Sequence, residues 1–434
     1  MNLTRRSFLG FGTTLASGAS VGFSFLFART AEGAGFGPLV QDPDGILDLP
    51  AGFKYQLLQS KDDVMSDGAV VRGSLDGMAA FAGSTESEVI LMRNHELAVD
   101  GGVSRLVLDT TDPGALVVVS SNDVLGSTLR NCSGGPSPWG WLSCEERPGM
   151  GGVWLCPIDI ESRMLPAERV RIDCYGTFSH EAVAIDPDTY IAYLTEDDGD
   201  SFLYRFVPTD ASVDPFSGQL QAMKRVGGDN FSTAGMNPGQ VIDVEWVDVS
   251  AATPRADAQA AAATIVVRGE GIWWFDGIVY FCATSNGQVF ELVPNADNSG
   301  GTLRLLADTL AGPDNVTVAP WGELFVAEDN GVQNRIRVVD SEGVVSTFAL
   351  NRVTPVSELA GVCFSPDGTI LFLNIYSGKT LAITGPFPGV EQPNGSGGSG
   401  GNGGADPGSA GDDAGGSSDG GEGGRAAGGD SGSG

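Results

Sequence analysis

Residues 312–330 read GPDNVTVAPWGELFVAEDN. A polar opening, Asp314 and Asn315, leads into a short apolar run. Pro320 and Gly322 break it, and a second apolar run ends on Glu328 and Asp329. Runs this short, rich in Val and aromatics and separated by Pro and Gly, are the pattern of two antiparallel strands. The unit recurs. Its second half returns as STESEVILMRNHE (84–96), SPWGWLSCEE (137–146), DPDTYIAYLTEDD (186–198), FDGIVYFCATSN (275–286) and SPDGTILFLNIY (365–376). Its first half returns as SLDGMAAF (74–81), LRNCSGG (129–135), SHEAVAI (179–185), RGEGIWW (268–274) and SELAGVCF (357–364).

Glu270, Asp314 and Glu358 mark a spacing of 44 residues, which suits a four-stranded propeller blade of ~40–45 residues. Six such units predict an all-β fold, a six-bladed β-propeller over residues 36–390 whose inner strands ring a central channel. The polar openings of those strands then meet at one mouth. Asp76, Asn131, Cys132, His180 and Glu181 come from the first three, and Arg268, Glu270, Asp314, Asn315 and Glu358 from the others. Any one of them also reads as a local turn cap. In a shared register, carboxylates crowded into one funnel call for cations.

Oxygen donors suit Ca²⁺, which makes Glu145, Glu146, Glu196, Asp197, Asp198, Glu328 and Asp329 candidate ligands. Cys132 with Glu181 and Glu270 is a mixed thiolate and carboxylate set suited to iron. The chain has only two histidines, His95 and His180, each followed by a glutamate. Strand alternation sends His180 and Glu181 to opposite faces. Glu181 is therefore read as the ligand and His180 as buried support. The same alternation puts Arg268 beside Glu270, where a guanidinium can fork onto phosphate oxygens.

The ends of the chain are of another kind. MNLTRRSFLGFGTTLASGAS opens a leader, expected over residues 1–34, with Arg5 and Arg6 as a twin-arginine export signal. Residues 391–434, rich in Gly, Ser and Asp, are expected to be a disordered tail. No apolar run is long enough for a stable membrane span. The formal net charge of −31 argues against nucleic acid as a partner. Six cysteines could form three disulfides in an oxidising compartment.

Taken together, RNHE, RNCSGGPSPWGWLSCEE, SHEAVAID, LTEDDG, RGEGIWW, GPDNVTVAPWGELFVAEDN and ELAGVCFSPDGTILFLNI resemble the PhoX-type alkaline phosphatases over about residues 40–387. The resemblance implies an exported (periplasmic, cell-surface or extracellular) phosphomonoesterase. Its channel is expected to hold two oxide-bridged Fe³⁺ ions and several Ca²⁺ ions, and a metal-bound oxide or hydroxide to attack phosphorus. It implies Cys132 as the thiolate shared by the irons, with Cys144 the alternative if the register slips. Glu181 and Glu270 resemble carboxylate ligands and Arg268 the phosphate clamp. Arg268, Glu270 and Asn131 form the expected catalytic set. The acids of SCEE, TEDD and AEDN, with Asp314 and Glu358, resemble metal ligands. The substrate expected is a small phosphomonoester, and the partner the twin-arginine export machinery. Two other readings stay open: a calcium-dependent lactonase built on Asp314, Asn315 and Glu328, and a non-catalytic secreted binding propeller.

Overall fold

Short apolar runs, each cut by Gly, Pro or Asp after a handful of residues, leave little room for helices. A computed structural model describes residues 35–389 as antiparallel strands with one α-helix, Pro254–Ala260. The expected leader and tail lie outside the described residues. Among the described residues no helix is long and apolar enough to cross a membrane.

The paired runs of the sequence are paired strands. Leu75–Ala82 pairs with Glu88–His95, Asn131–Ser137 with Gly140–Glu145, and His180–Ile185 with Ala192–Glu196. Gly269–Phe275 pairs with Ile278–Ala283, Pro313–Val318 with Leu324–Glu328, and Leu359–Phe364 with Leu371–Ile375. The first strand of each pair packs against the first strand of the next, and Leu359–Phe364 packs back against Leu75–Ala82. Further strands extend each pair outward, giving a propeller-like arrangement.

Several connections depart from simple repetition, two of them at the outer edges of sheets whose inner strands line the site. The strand Lys54–Ser60 pairs with Lys379–Thr384, so the outer edge of the last sheet comes from the start of the chain. The strand Val241–Val249 pairs with both Asp214–Arg225 and Gly300–Ala307, fusing two sheets at their outer edges. The Ala-rich segment that follows it contains the helix Pro254–Ala260.

Cores lie between the sheets, where inward residues of neighbouring strands interdigitate. In one, Phe36, Phe53, Phe348 and Phe387 stack edge to face, with centroids 5.0 Å (Phe36–Phe348) and 4.9 Å (Phe53–Phe387) apart. Burying such a side chain contributes roughly 1.5–3 kcal/mol. The cysteines are free, five of them buried in these cores, so the disulfides allowed by their number do not form in this fold.

What positions the site is a shared irregularity. Each inner strand shifts register within its first few residues, between Leu75 and Met78, Asn131 and Gly134, His180 and Val183, Gly269 and Ile272, Pro313 and Val316, and Ala360 and Cys363. Such bulges bend a strand and re-aim its side chains. They also bring neighbouring backbones close: a Cβ on Gly77 would lie 2.5 Å from Ser133 Cα, and one on Gly271 2.6 Å from the Asp314 carbonyl oxygen.

Candidate metal centre

At the head of the inner strands the bulge delivers the second residue to one cavity. These residues are Asp76, Cys132, Glu181, Glu270 and Asp314. In Leu359–Phe364 the second residue is Ala360, and Glu358, one residue before the strand, lines the cavity instead. A second tier comes from the residue just after the partner strand: Glu96, Glu146, Asp197, Thr284 and Asp329. Tyr376 holds the corresponding place after Leu371–Ile375 and donates its hydroxyl to Glu96 Oε2 at 2.7 Å.

With Arg268 these tiers enclose about 170 Å³ lined by nine carboxyls, one thiol, one hydroxyl and one guanidinium. One cation cannot balance nine acids. At the centre, an oxygen from each of Glu181, Glu270 and Asp314 lies within 4.8 Å of the others. Burial first, and neighbouring carboxylates second, hold Asp76, Glu181, Glu270 and Glu358 well above the usual carboxylate range. The same causes push Asp314 up to about 7 and Glu146 up to about 8. The Cys132 thiol is raised well above its ordinary value by burial and then by Glu181.

Arg268 precedes Gly269–Phe275 with φ 54°, a left-handed conformation uncommon outside glycine. Its Nε donates to Asp197 Oδ1 at 2.7 Å, and its Nη2 donates to Asp197 Oδ2 at 2.9 Å and to Glu270 Oε1 at 3.0 Å. Nη1 makes no hydrogen bond among the described residues. The acids raise the Arg268 pKa further, so the guanidinium is permanently charged.

Several residues expected at the site are elsewhere, for one reason. Adjacent acids at a strand end point to opposite sides, so the second of each pair reaches the cavity and the first does not. Glu145 is buried and accepts from the Leu129 N–H at 3.1 Å. Glu328 accepts from the Ala311 N–H and faces Arg335 and Arg337. Glu196 accepts from the Phe202 N–H and pairs with Arg255 at 2.8 Å, and the same guanidinium lies 3.2 Å from the exposed Asp198. The guanidinium comes from the helix Pro254–Ala260, which makes these two acids part of a protein ion-pair network. Asn131 is also outside the cavity, because the bulge begins just after it. Its Nδ2 donates to Ser143 Oγ and its Oδ1 accepts from Thr128. Asn315 donates to Ser133 Oγ at 2.9 Å. Cys144 is fully buried in the apolar core beside Cys132 and does not line the cavity.

Neither histidine reaches the cavity. His180 stacks on Phe178 with ring centroids 3.6 Å apart, shares a hydrogen bond with the Gly176 carbonyl, and is pushed down to about 3 by burial. His95 is buried against Ser104 and is likewise held neutral. Thr284 and Tyr376 were missed by sequence reasoning. Their signal is positional: each follows the second strand of its pair, where the other units carry an acid.

The donor set fits bound cations. The carboxyls are too buried and too close to remain ionised together without positive charge, and Arg268 alone cannot supply it. An oxygen-rich cage suits Ca²⁺, and a thiol in the same lining as Glu181 and Glu270 suits a transition metal such as iron.

The family model described as alkaline phosphatase PhoX matches residues 34–117, 154–309 and 304–378. That is most of the chain, and the chain belongs to this family. The matched segments carry Asp76, Glu96, Glu181, Arg268, Glu270, Asp314 and Glu358, while Cys132 and Glu146 fall between them. None of the curated proteins searched matches. Among solved structures, a gluconolactonase from Xanthomonas campestris is similar at 13% identity and TM-score 0.45, covering 81% of this chain and 98% of its own. A luciferin-regenerating enzyme is similar at 12% identity and TM-score 0.44, covering 77% and 96%. A virginiamycin B lyase from Staphylococcus aureus is similar at 13% identity and TM-score 0.40, covering 76% and 99%.

Proposed function

We propose that this member of the PhoX alkaline phosphatase family is a six-bladed propeller that hydrolyses phosphomonoesters in its acidic channel. The blade count is supported by the closed circuit of inner strands from Leu75–Ala82 to Leu359–Phe364. One observation carries the activity: a guanidinium fixed at the edge of a buried carboxylate cluster, with Arg268 Nη2 3.0 Å from Glu270 and the oxygens of Glu181, Glu270 and Asp314 within 4.8 Å.

In this reading Cys132, Glu181 and Glu270 hold iron, and Asp76, Asp314, Glu358 and the second-tier acids hold calcium. Bound cations supply Lewis-acid polarisation of the phosphoryl oxygens and a water acidic enough to serve as nucleophile near neutral pH. The protein's own part is positioning. Asp197 grips Arg268 through two hydrogen bonds and so fixes the plane of the guanidinium before any substrate arrives. Its Nη1 is left to donate to a phosphate oxygen and to stabilise the charge that builds there. The inward acids exclude anions that bring no matching cations. We also read the protein as exported, on the strength of Arg5 and Arg6 in its leader.

The test is elemental analysis of the purified protein, with p-nitrophenyl phosphate hydrolysis assayed before and after chelation. Iron and calcium with chelator-sensitive phosphate release are expected. Calcium without iron, and no phosphate release, overturns the reading.

A further inference from the structure

Arg268 has a counterpart one sheet pair away from its neighbour on the ring. Arg130 also sits immediately before an inner strand, also with positive φ, 49° against 54°. The backbone bonds match. The Arg268 N–H donates to the Asp198 carbonyl at 2.9 Å and its carbonyl accepts from Thr284 at 3.0 Å; the Arg130 N–H donates to the Leu97 carbonyl at 2.8 Å and its carbonyl accepts from Glu146 at 2.9 Å. In both cases the acceptor lies two residues beyond a partner strand and the donor is a residue of the second tier. Ser74 occupies the same place before Leu75–Ala82, with φ 50° and its carbonyl accepting from Glu96. Ser179, Gly312 and Glu358 hold the same place in the other three units, their carbonyls accepting from Asp197, Asp329 and Tyr376. Two of the six are arginine, and Arg268 and Glu358 line the cavity from this position.

The two guanidiniums differ in how firmly they are held. Arg268 makes three hydrogen bonds to its acids. Arg130 Nη1 lies 3.5 Å from Glu146 Oε2 and 3.9 Å from Glu96 Oε1, beyond hydrogen-bond distance, with its side chain 51% exposed. Its side chain makes no hydrogen bond among the described residues, so its donors remain available. Exposed pairs of this kind contribute little and are readily exchanged for a better partner. The better partner is a planar or tetrahedral anion taken in a bidentate fork. Glu146, which Arg130 approaches, lines the same cavity as Asp197, which Arg268 grips, so both guanidiniums face one entrance.

We infer that Arg130 is a specificity-determining contact for substrates that carry a second anionic group, a carboxylate or a further phosphate, beside the scissile phosphate. The inference rests on the phosphatase reading. Around a mouth of nine carboxyls such a substrate is repelled unless its second charge has its own counter-charge. Arg130 supplies it outside the cavity while Arg268 serves the reacting group inside.

The experiment compares 3-phosphoglycerate with p-nitrophenyl phosphate in the cation-loaded wild type, Arg130→Ala and Arg130→Lys. The ratio of their kcat/KM values is expected to fall at least tenfold in Arg130→Ala, through KM for 3-phosphoglycerate, and to recover partly in Arg130→Lys. A ratio that stays within twofold overturns the inference. Wild-type protein that hydrolyses neither substrate counts against the phosphatase reading instead. In that case calorimetry with phosphonoacetate, and methylphosphonate as control, decides for Arg130. Loss of phosphonoacetate affinity alone in Arg130→Ala supports the contact, and equal affinities in both proteins overturn it.

Discussion

Stripping cations from the cavity leaves nine carboxyls facing a single lining guanidinium, and the stripped protein should lose stability as pH rises. The sign follows from where protons reside. Glu146 and Asp314 titrate at about 8 and about 7 when folded, against ordinary values of 4.5 and 3.8. Between those limits the folded state keeps protons that the unfolded chain has released, so raising the pH favours unfolding. This stabilisation is complete below about pH 4 and gone above about pH 8. For Glu146 the difference corresponds to about 5 kcal/mol, and for Asp314 to about 4 kcal/mol. Both feel Asp197, so the two effects overlap, and a loss on the order of 5 kcal/mol is the expectation. At roughly 2 °C per kcal/mol for a large domain, Tm should drop by roughly 10 °C between pH 5 and pH 8.5. Thermal unfolding followed by circular dichroism after chelation measures it directly. Cation-loaded protein should show the opposite trend, because ligands must be ionised to bind. A stripped protein whose Tm is flat or rises over this interval would refute the reasoning.

Other perturbations separate the roles of individual residues. Arg268→Ala should lower kcat for p-nitrophenyl phosphate about 10²- to 10³-fold, the cost of removing one charge-stabilising donor, with cation content by elemental analysis unchanged. Glu270→Gln should raise the Tm of the stripped protein at pH 8 while lowering the iron it retains, since the substitution removes both a repelling charge and a donor. Arg255→Ala leaves Glu196, 1% exposed, without its guanidinium. With the carboxylate buried and the guanidinium 27% exposed, the loss should be about 1–3 kcal/mol, visible as a lower denaturation midpoint with cation content intact, and loss of calcium would instead make Glu196 a ligand.

Much of this architecture is legible in the sequence. The alternation of apolar runs with Gly, Pro and Asp announces strands, and the polar opening of each first run announces the channel residues. Cys132, Glu181, Glu270 and Asp314 line the cavity as that register implies, and Glu358 lines it from one residue before its strand. What sequence could not resolve is which member of an acidic pair turns inward. Glu145 with Glu146, Glu196 with Asp197, and Glu328 with Asp329 are chemically alike, and only the exact residue at which each strand ends decides between them. Asn131 fails for a related reason: the bulge starts one residue later than a regular strand would place it. Arg255 was invisible because its role depends on a helix in an Ala-rich connection folding back over Glu196. The 44-residue period did point to Glu358, which reaches the cavity although Ala360 is the residue in strand register.

The seam between Lys54–Ser60 and Lys379–Thr384 sets an order of events. Asn374 donates to the Asp76 carbonyl across 298 residues of chain, and Glu358 meets Asp76 only once that seam is shut. Contacts so distant in sequence form late and slowly. Until then the acids of the early and late sheets do not feel one another, and their repulsion opposes the final closing step alone. Cations present at that moment lower the barrier. Cations added afterwards must enter through a mouth already formed. The seam thus links the history of a molecule to its metal content, and two preparations with the same sequence can differ according to which ions were present when the ring closed.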